Sequence, residues 1–399
     1  MTILCLASYE KGHEFLRECR RQGCRVLLLT SLSLKDEAAW PLDSIDEIFY
    51  MPDDQKKWHR RQTLNAVSFL ARTRTIDRIV PLDDFDLETA AALREHLRVP
   101  GMGETTTRYF RDKLAMRVQA LDRGLEVPDF VHVLNHETID RYTHMIPPPW
   151  VLKPRFLAGA IGIKLVGEYA RLWELINALG DEQSNYLIER YIPGDIFHVD
   201  TIVYERQIRF VSVSRYGTPP MEVSHGGGVF STSIVERGSH DEHELREMNA
   251  RVLAAMGLVR GVSHTEYIKD RETGRFLFLE TSARVGGANI VELVEAATGL
   301  NLWSEWAKVE IAGGKTLYDP PAAREDYAGL LVSLAKQEWP DTSAYDDPEI
   351  VWRMKRKNHV GLIVRSRDRQ RVEQLLAQYA SRIRQDFTAT APPRDRPTS

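Results

Sequence analysis

Between residues 1 and 104 the apolar positions switch between short continuous runs and helical spacing. Thr2–Ala7 and Val26–Leu29 read as buried strands, and between them Phe15, Leu16 and Cys19 mark one helical face. Ile45–Tyr50 is a third short apolar segment, and Ala66, Phe69 and Leu70 carry a helix. Ile76–Leu82 reads as another strand and Asp86–Leu97 as another helix. This alternation predicts a parallel, doubly wound sheet. Its first turn, Ser8-Tyr9-Glu10-Lys11-Gly12, lacks the G-x-G-x-x-G that cradles a pyrophosphate. The unit is therefore Rossmann-like without the dinucleotide fingerprint, and Pro100-Gly101-Met102-Gly103 marks its end.

The pattern then changes. Thr105 to Leu121 is helical, with Gly124 and Pro128 as stop signals. Pro147-Pro148-Pro149 introduces a strand at Trp150–Lys153, followed by a loop of small residues from Ala158 to Gly162. Strand signals recur at Ile163–Val166, Tyr186–Tyr191, Ile196–Tyr204 and Ile208–Arg215, with a helix at Ala170–Leu179. After a helix at Glu242–Met256, Gly261–Lys269 and Arg275–Ser282 read as the arms of a hairpin, and further helices run to Ile311. The expected organisation is an α/β unit over residues 1–104 and an α+β body over 105–316 with a lid at about 128–186. A small α+β unit over 317–387 and a disordered proline-rich tail over 388–399 complete it.

Composition narrows the function classes. Apolar residues make up 43% and charged residues 28%, the balance of a soluble globular chain. Lysine plus arginine is 53 against 57 acidic residues, a net charge of −4, which argues against a nucleic-acid or membrane binder. No run approaches the roughly 20 apolar residues of a membrane span. The apolar start runs straight into Tyr9-Glu10-Lys11 and reads as a strand, so a cytoplasmic location is expected. Cys5, Cys19 and Cys24 are too few and too odd for a disulfide framework and read as buried thiols.

Two features carry chemistry. If residues 271–275 form the hairpin loop, Glu266 faces Glu280, with Cβ atoms about 4.5–5.5 Å apart. His264, Glu266 and Ile268 then share one face, and Phe276, Phe278, Glu280, Ser282 and Arg284 share one. Two carboxylates that close need a cation or proton between them, and magnesium held with substrate phosphates fits. A pair of exposed strand acids fits the spacing equally well. Lys153 is the second feature, inside an apolar strand before a loop containing Gly159 and Gly162. Phosphate held by the ammonium and by loop N–H groups would explain it; a lysine snorkelling from a strand edge is the bland alternative.

Taken in order, these residues form a pattern. Asp112-Lys113, Gly124…Pro128 and Val151-Leu152-Lys153-Pro154 are followed by Leu187-Ile188-Glu189-Arg190-Tyr191-Ile192-Pro193-Gly194. His264-Thr265-Glu266 and Leu279-Glu280-Thr281-Ser282-Ala283-Arg284 end it. The pattern resembles the ATP-grasp superfamily of ATP-dependent ligases, which includes biotin carboxylase, carbamoyl-phosphate synthetase and D-alanine–D-alanine ligase. The resemblance covers about Thr105 to Gly314, and the flanking units match the family's N-terminal pre-grasp and small C-terminal domains.

The resemblance implies roles. Lys113 and Lys153 match the lysines on ATP phosphates, and Glu189, Arg190, Tyr191 and Ile192 match the adenine-binding hinge. Gly159 and Gly162 fall in the phosphate loop, and His198 matches a nucleotide-contacting histidine. Glu266 and Glu280 match ligands of Mg2+ (or Mn2+), and Arg284 matches the arginine facing the acyl phosphate. Ser282 stands where the family often has a ligating Asn, which puts a second metal in question, and Ile196 replaces a ribose-binding Glu, with Asp195 beside it. The implied reaction passes the γ-phosphoryl of ATP to a carboxylate, after which an amine displaces phosphate. Lys153, Glu280 and Arg284 would be catalytic and the substrates small molecules. A bicarbonate-activating enzyme, or a nucleotide-binding module without turnover, are the alternatives. The small, apolar continuation Val285-Gly286-Gly287-Ala288 favours the ligase.

Weaker signals remain. His225, Gly226, Gly227 and Gly228 read as a lid over substrate or as a plain surface loop. Gly313-Gly314-Lys315-Thr316 follows a helix and reads as its C-cap. The basic cluster from Arg353 to Arg367 suits an acidic substrate, a nucleotide, a subunit contact such as a homodimer's, or only solvent.

Overall fold

Four strands, Thr2–Ala7, Arg25–Ser31, Glu47–Met51 and Arg78–Pro81, build the N-terminal sheet in the order third, second, first, fourth. All of its pairings are parallel. The computed structural model describes residues 1–157, 159, 161–217 and 228–389. Ile3, Cys5, Val26 and Leu28 pack into one core and Leu4, Leu6, Leu27 and Leu29 into another. A sheet buried on both faces needs unbroken apolar strands, which is what the sequence supplies. The three cysteines are buried free thiols.

The helix expected from Thr105 to Leu121 is two, Glu104–Arg108 and Lys113–Asp122. Asp112 separates them because its carboxylate caps the second helix, accepting from the Leu114 N–H at 3.1 Å. Beyond it an antiparallel four-stranded sheet forms from Phe130–His132, Trp150–Pro154, Lys164–Val166 and Tyr186–Arg190. The helices His136–Met145 and Tyr169–Ala178 cover it through Ile139, Tyr142, Leu172 and Ile176.

The third sheet has eight strands. It runs from the hairpin Gly261–Asp270 and Phe276–Ser282, through Gly194–Tyr204, Gln207–Tyr216 and Phe230–Ile234, to Tyr327–Leu334, His359–Ser366 and Ile350–Arg353. The unit expected over 317–387 is thus not a separate sheet. Tyr327–Leu334 pairs directly with Phe230–Ile234, which would otherwise present an open edge. Residues 388 and 389, expected in a disordered tail from 388, are placed in the structure. Thr388 bridges to Ala335 and its N–H donates to the Ile383 carbonyl at 3.1 Å, while residues 390–399 lie outside the described residues. Phe15 meets Trp306 edge-on at 5.3 Å, joining the N-terminal unit to the body. Among the described residues no helix is long and apolar enough to cross a membrane.

Candidate active site

Glu266 and Glu280 are register partners across the hairpin. The predicted pairing stands, but the predicted faces do not. A β-bulge between Glu266 and Tyr267 on one strand and Phe278 and Glu280 on the other leaves Leu279 unpaired. Phe276 and Phe278 therefore turn into the core with Tyr267, while Glu280 and Ser282 turn toward His264 and Glu266 in a cavity of about 230 Å³. Arg117, wholly buried, holds the bulge by donating to the Leu279 carbonyl.

Each carboxylate has one oxygen engaged. Lys113 Nζ lies 3.0 Å from Glu280 Oε2 and also donates to the Leu157 carbonyl at 2.6 Å. Tyr216 donates to Glu266 Oε1 at 2.8 Å, and His264 Nε2 lies 3.6 Å from the same oxygen. Burial opposes the charge on Glu266, but His264 and the Tyr216 hydroxyl outweigh it and hold the carboxyl below its ordinary range. Burial likewise opposes charge on His264, yet Asp200 at 2.9 Å and Glu266 raise its ring to about 9. The result is an all-oxygen set of two opposed carboxylates and the Ser282 hydroxyl on one cavity wall. It fits a hard divalent cation such as magnesium.

Lys153 lies in the strand Trp150–Pro154 and is buried, with Nζ 2.6 Å from Glu189 Oε2. Arg117 Nε takes the other oxygen at 2.6 Å. Burial, with Arg117 adding to it, pushes the Lys153 ammonium down to about 8 despite Glu189. Burial works against charge on Glu189 too, but the two cations hold it below the usual carboxylate range. These groups line a hollow of about 470 Å³ between the four-stranded antiparallel sheet and the large sheet, walled also by Arg190, Tyr191, Ile192, Ile196, Gly159 and Lys113. The size suits a nucleotide. Gly159 and Gly162 take φ of 68° and 73°, the left-handed region that glycine enters at no steric cost. Gly159 lines both hollows, whereas Gly162 packs against Pro154.

Arg284 lines the smaller cavity and is held there by Asp84, with Nη2 at 2.5 Å and Nε at 2.7 Å from Oδ2. Burial pushes Asp84 up, but Arg284 and Arg111 keep it below its ordinary value. Asp84, Arg111, Arg117 and Tyr216 are site residues that the sequence reading missed. Asp84 had a signal: it follows a buried strand of a parallel sheet, at the carboxyl end where such sheets bind ligands. Arg117, one turn after Lys113, carried only helical spacing.

His198 is a correction. Its ring is wholly buried and both nitrogens are taken, Nδ1 by Asp200 at 2.7 Å and Nε2 by Thr232 at 2.7 Å. Its register does bring it opposite Glu266, but it lines neither hollow. His225, Gly226 and Gly227 lie outside the described residues, and Gly228 lines neither hollow.

No family model matches the chain. A solved L-amino acid ligase from Bacillus licheniformis superposes with a TM-score of 0.76, covering 97% of this chain and 98% of that one at 16% identity. The chain has the ATP-grasp fold. Another structure with the same ATP-grasp architecture is the N5-carboxyaminoimidazole synthetase of Staphylococcus aureus complexed with ADP. Its TM-score is 0.73 at 15% identity, over 95% and 96% of the two chains. In sequence, an L-arginine-specific L-amino acid ligase of Bacillus subtilis is 26% identical over 241 residues, 59% of this chain. The match spans 58% of that relative's length.

Proposed function

We propose that this ATP-grasp protein is an ATP-dependent carboxylate–amine ligase, forming an amide or peptide bond with release of ADP and phosphate. One observation carries the reading. A nucleotide-sized hollow bearing Lys153 opens onto a cavity where Lys113, the Glu266–Glu280 pair and Arg284 converge. The names of the relatives support it: L-amino acid ligases in sequence and in fold, and an ADP complex among the related folds.

In this reading the hinge from Glu189 to Ile192 borders the adenine, while Lys153 and Lys113 meet the phosphates. Both lysines now sit on carboxylates, and phosphate oxygens would take over those contacts. Magnesium, held by Glu266, Glu280 and Ser282, supplies charge neutralisation on the phosphates when bound. The β–γ phosphoanhydride bond breaks as a carboxylate oxygen bonds to the γ-phosphorus, giving an acyl phosphate and ADP. Arg284, kept in place by Asp84, faces the acyl group and stabilises the oxyanion formed when the amine nitrogen attacks. The C–O bond to phosphate then breaks. Gly287 and Ala288 line this cavity, and a Cβ on Gly287 would meet nothing within 4 Å, which leaves room for a carboxylate larger than bicarbonate. The chemistry needs ATP and small polar substrates, and a cytoplasmic location belongs to the same reading.

The test is phosphate release from ATP over a matrix of carboxylates and amines. Magnesium-dependent release that requires one of each supports the ligase. ATP binding without turnover across the matrix would favour a nucleotide-binding module instead.

A further inference from the structure

Burying a guanidinium donor without an acceptor is costly, so such a donor marks a place where a ligand's oxygen belongs. Arg111 lines the reaction cavity and is only 9% exposed. Its Nε is buried with no hydrogen-bond partner among the described residues. Asp84 is near enough for the two charges to interact, yet its Oδ2 is taken by Arg284. The Phe85 ring centre lies 4.9 Å from the Arg111 guanidinium carbon. A ring against the face of a guanidinium leaves its in-plane N–H groups free to donate. Arg284, on the same cavity, is less free: Nε and Nη2 go to Asp84, and Nη1 donates to the Val285 carbonyl at 2.6 Å.

Position narrows which oxygen Arg111 meets. Lys113, Leu157, Gly159, Glu266 and Glu280 line both the nucleotide-sized hollow and the reaction cavity, so a group passing from one to the other crosses between them. Arg111 stands just past that crossing. It lines the reaction cavity and not the nucleotide hollow, and it shares a third hollow, of about 450 Å³, with Leu157. The group that makes the crossing is the γ-phosphoryl, whose negative charge is spread over three outer oxygens. Lys113 meets it while it belongs to ATP. Beyond the crossing, the arginine with donors to spare is Arg111, and a guanidinium fork suits phosphate oxygens.

We infer that Arg111 is a further catalytic residue, taking the oxygens of the phosphoryl group once it has left ATP. The β–γ bond breaks with its electron pair going to ADP as a carboxylate oxygen bonds to phosphorus, and Arg111 donates to the acyl phosphate that results. When the amine nitrogen attacks, the C–O bond breaks. The departing phosphate takes that electron pair and a proton from the nitrogen, and Arg111 holds it until it leaves. The substrate's reacting carboxylate shares this oxyanion chemistry and is the competing occupant. This inference rests on the ligase reading, and its test separates the two. Hydroxylamine traps an acyl phosphate as a hydroxamate; if no carboxylate yields hydroxamate, the ligase reading fails and this inference with it.

With a carboxylate that does yield hydroxamate, inhibition by inorganic phosphate is measured beside kcat and the KM values for ATP and the carboxylate. Phosphate should inhibit the wild-type protein. Arg111→Gln should raise the phosphate inhibition constant by on the order of 50-fold, the worth of a charged hydrogen bond, and lower kcat by about 10-fold or more. Both KM values should stay within about 3-fold, less than the loss of such a bond would produce. Hydroxamate formation with no phosphate inhibition of the wild type overturns the inference, as does an inhibition constant unchanged in the variant. A raised KM for the carboxylate with kcat held also overturns it, because Arg111 would then be anchoring that substrate. Should Arg111→Gln not fold, Arg111→Lys decides. It keeps the charge without the fork and should raise the phosphate constant by about 5-fold at unchanged carboxylate KM. An unmoved phosphate constant would overturn it.

Discussion

Glu266 and Glu280 stand directly opposite each other in the cleft because the unpaired Leu279 turns Glu280 away from the core face that Phe276 and Phe278 occupy. Two carboxylates held together there are unfavourable unless cations join them; Lys113 lies 3.0 Å from Glu280 and the His264 ring 3.6 Å from Glu266. Glu280→Gln should therefore lower the rate of ADP formation by on the order of 100-fold or more and raise the magnesium concentration needed for half-maximal rate. Its melting temperature should change little, since the substitution removes both a repulsion and the Lys113 ion pair. Unchanged turnover would contradict the assignment.

The Lys153–Glu189 pair, at 2.6 Å, makes the proposed ATP site sensitive to pH. Burial has lowered the Lys153 ammonium to about 8, so the free protein loses that positive charge as pH rises through 8. The expected profile of kcat/KM for ATP falls on the alkaline side with a midpoint near 8. Lys153→Arg keeps its charge throughout and should lack that limb, whatever its plateau. A wild-type profile flat to pH 9.5 would contradict the role given to Lys153.

Glu189 has a structural load as well. It is the shared anion for Arg117, wholly buried, and Lys153, nearly so. Glu189→Ala leaves two buried cations facing each other and should cost about 3–5 kcal/mol in denaturant unfolding. Glu189→Gln should cost less, because the amide oxygen still accepts from Arg117. A loss of under about 1 kcal/mol for the alanine variant would show that the pair contributes little.

Asp200 joins His198 and His264 beneath the cleft floor, accepting from one ring on each oxygen. His264 titrates near 9 in the folded protein, above the ordinary 6.5. Its contribution to stability is complete below pH 6.5 and is lost as pH rises through 9. In Asp200→Asn the His264 ring should titrate at lower pH, read from its imidazole proton resonances, and stability should change less between pH 6.5 and 9.5. An unmoved titration would mean that Asp200 is not what sustains the charge.

Much of this was legible from side-chain pattern alone. Unbroken apolar runs announced the parallel sheet, because strands buried on both faces leave no room for polar positions. Lys153 stood out because a lysine in such a run has to be explained. The Glu266–Glu280 pairing was legible from counting outward from the hairpin loop; the faces were not, because a bulge inserts a residue without marking the sequence. The continuity of Tyr327–Leu334 with the large sheet was equally hidden. Strand partners distant along the chain are chosen by open edges, which local periodicity does not record. His198 misled for a related reason. Its neighbours Asp200 and Thr232 satisfy both ring nitrogens, and nothing in the spacing shows that these contacts exist. Arg111 and Asp84 come from different segments and become a site only when folding brings them to one cavity.

In the proposed reaction the γ-phosphoryl group of ATP passes to a carboxylate oxygen in the cavity of Lys113, Glu266, Glu280 and Arg284. The direct measurement uses a carboxylate substrate labelled with 18O in both oxygens, with mass analysis of the phosphate released in a single turnover with the amine. Transfer through an acyl phosphate predicts one 18O in each phosphate released. Unlabelled phosphate, or AMP and pyrophosphate in place of ADP and phosphate, would contradict it.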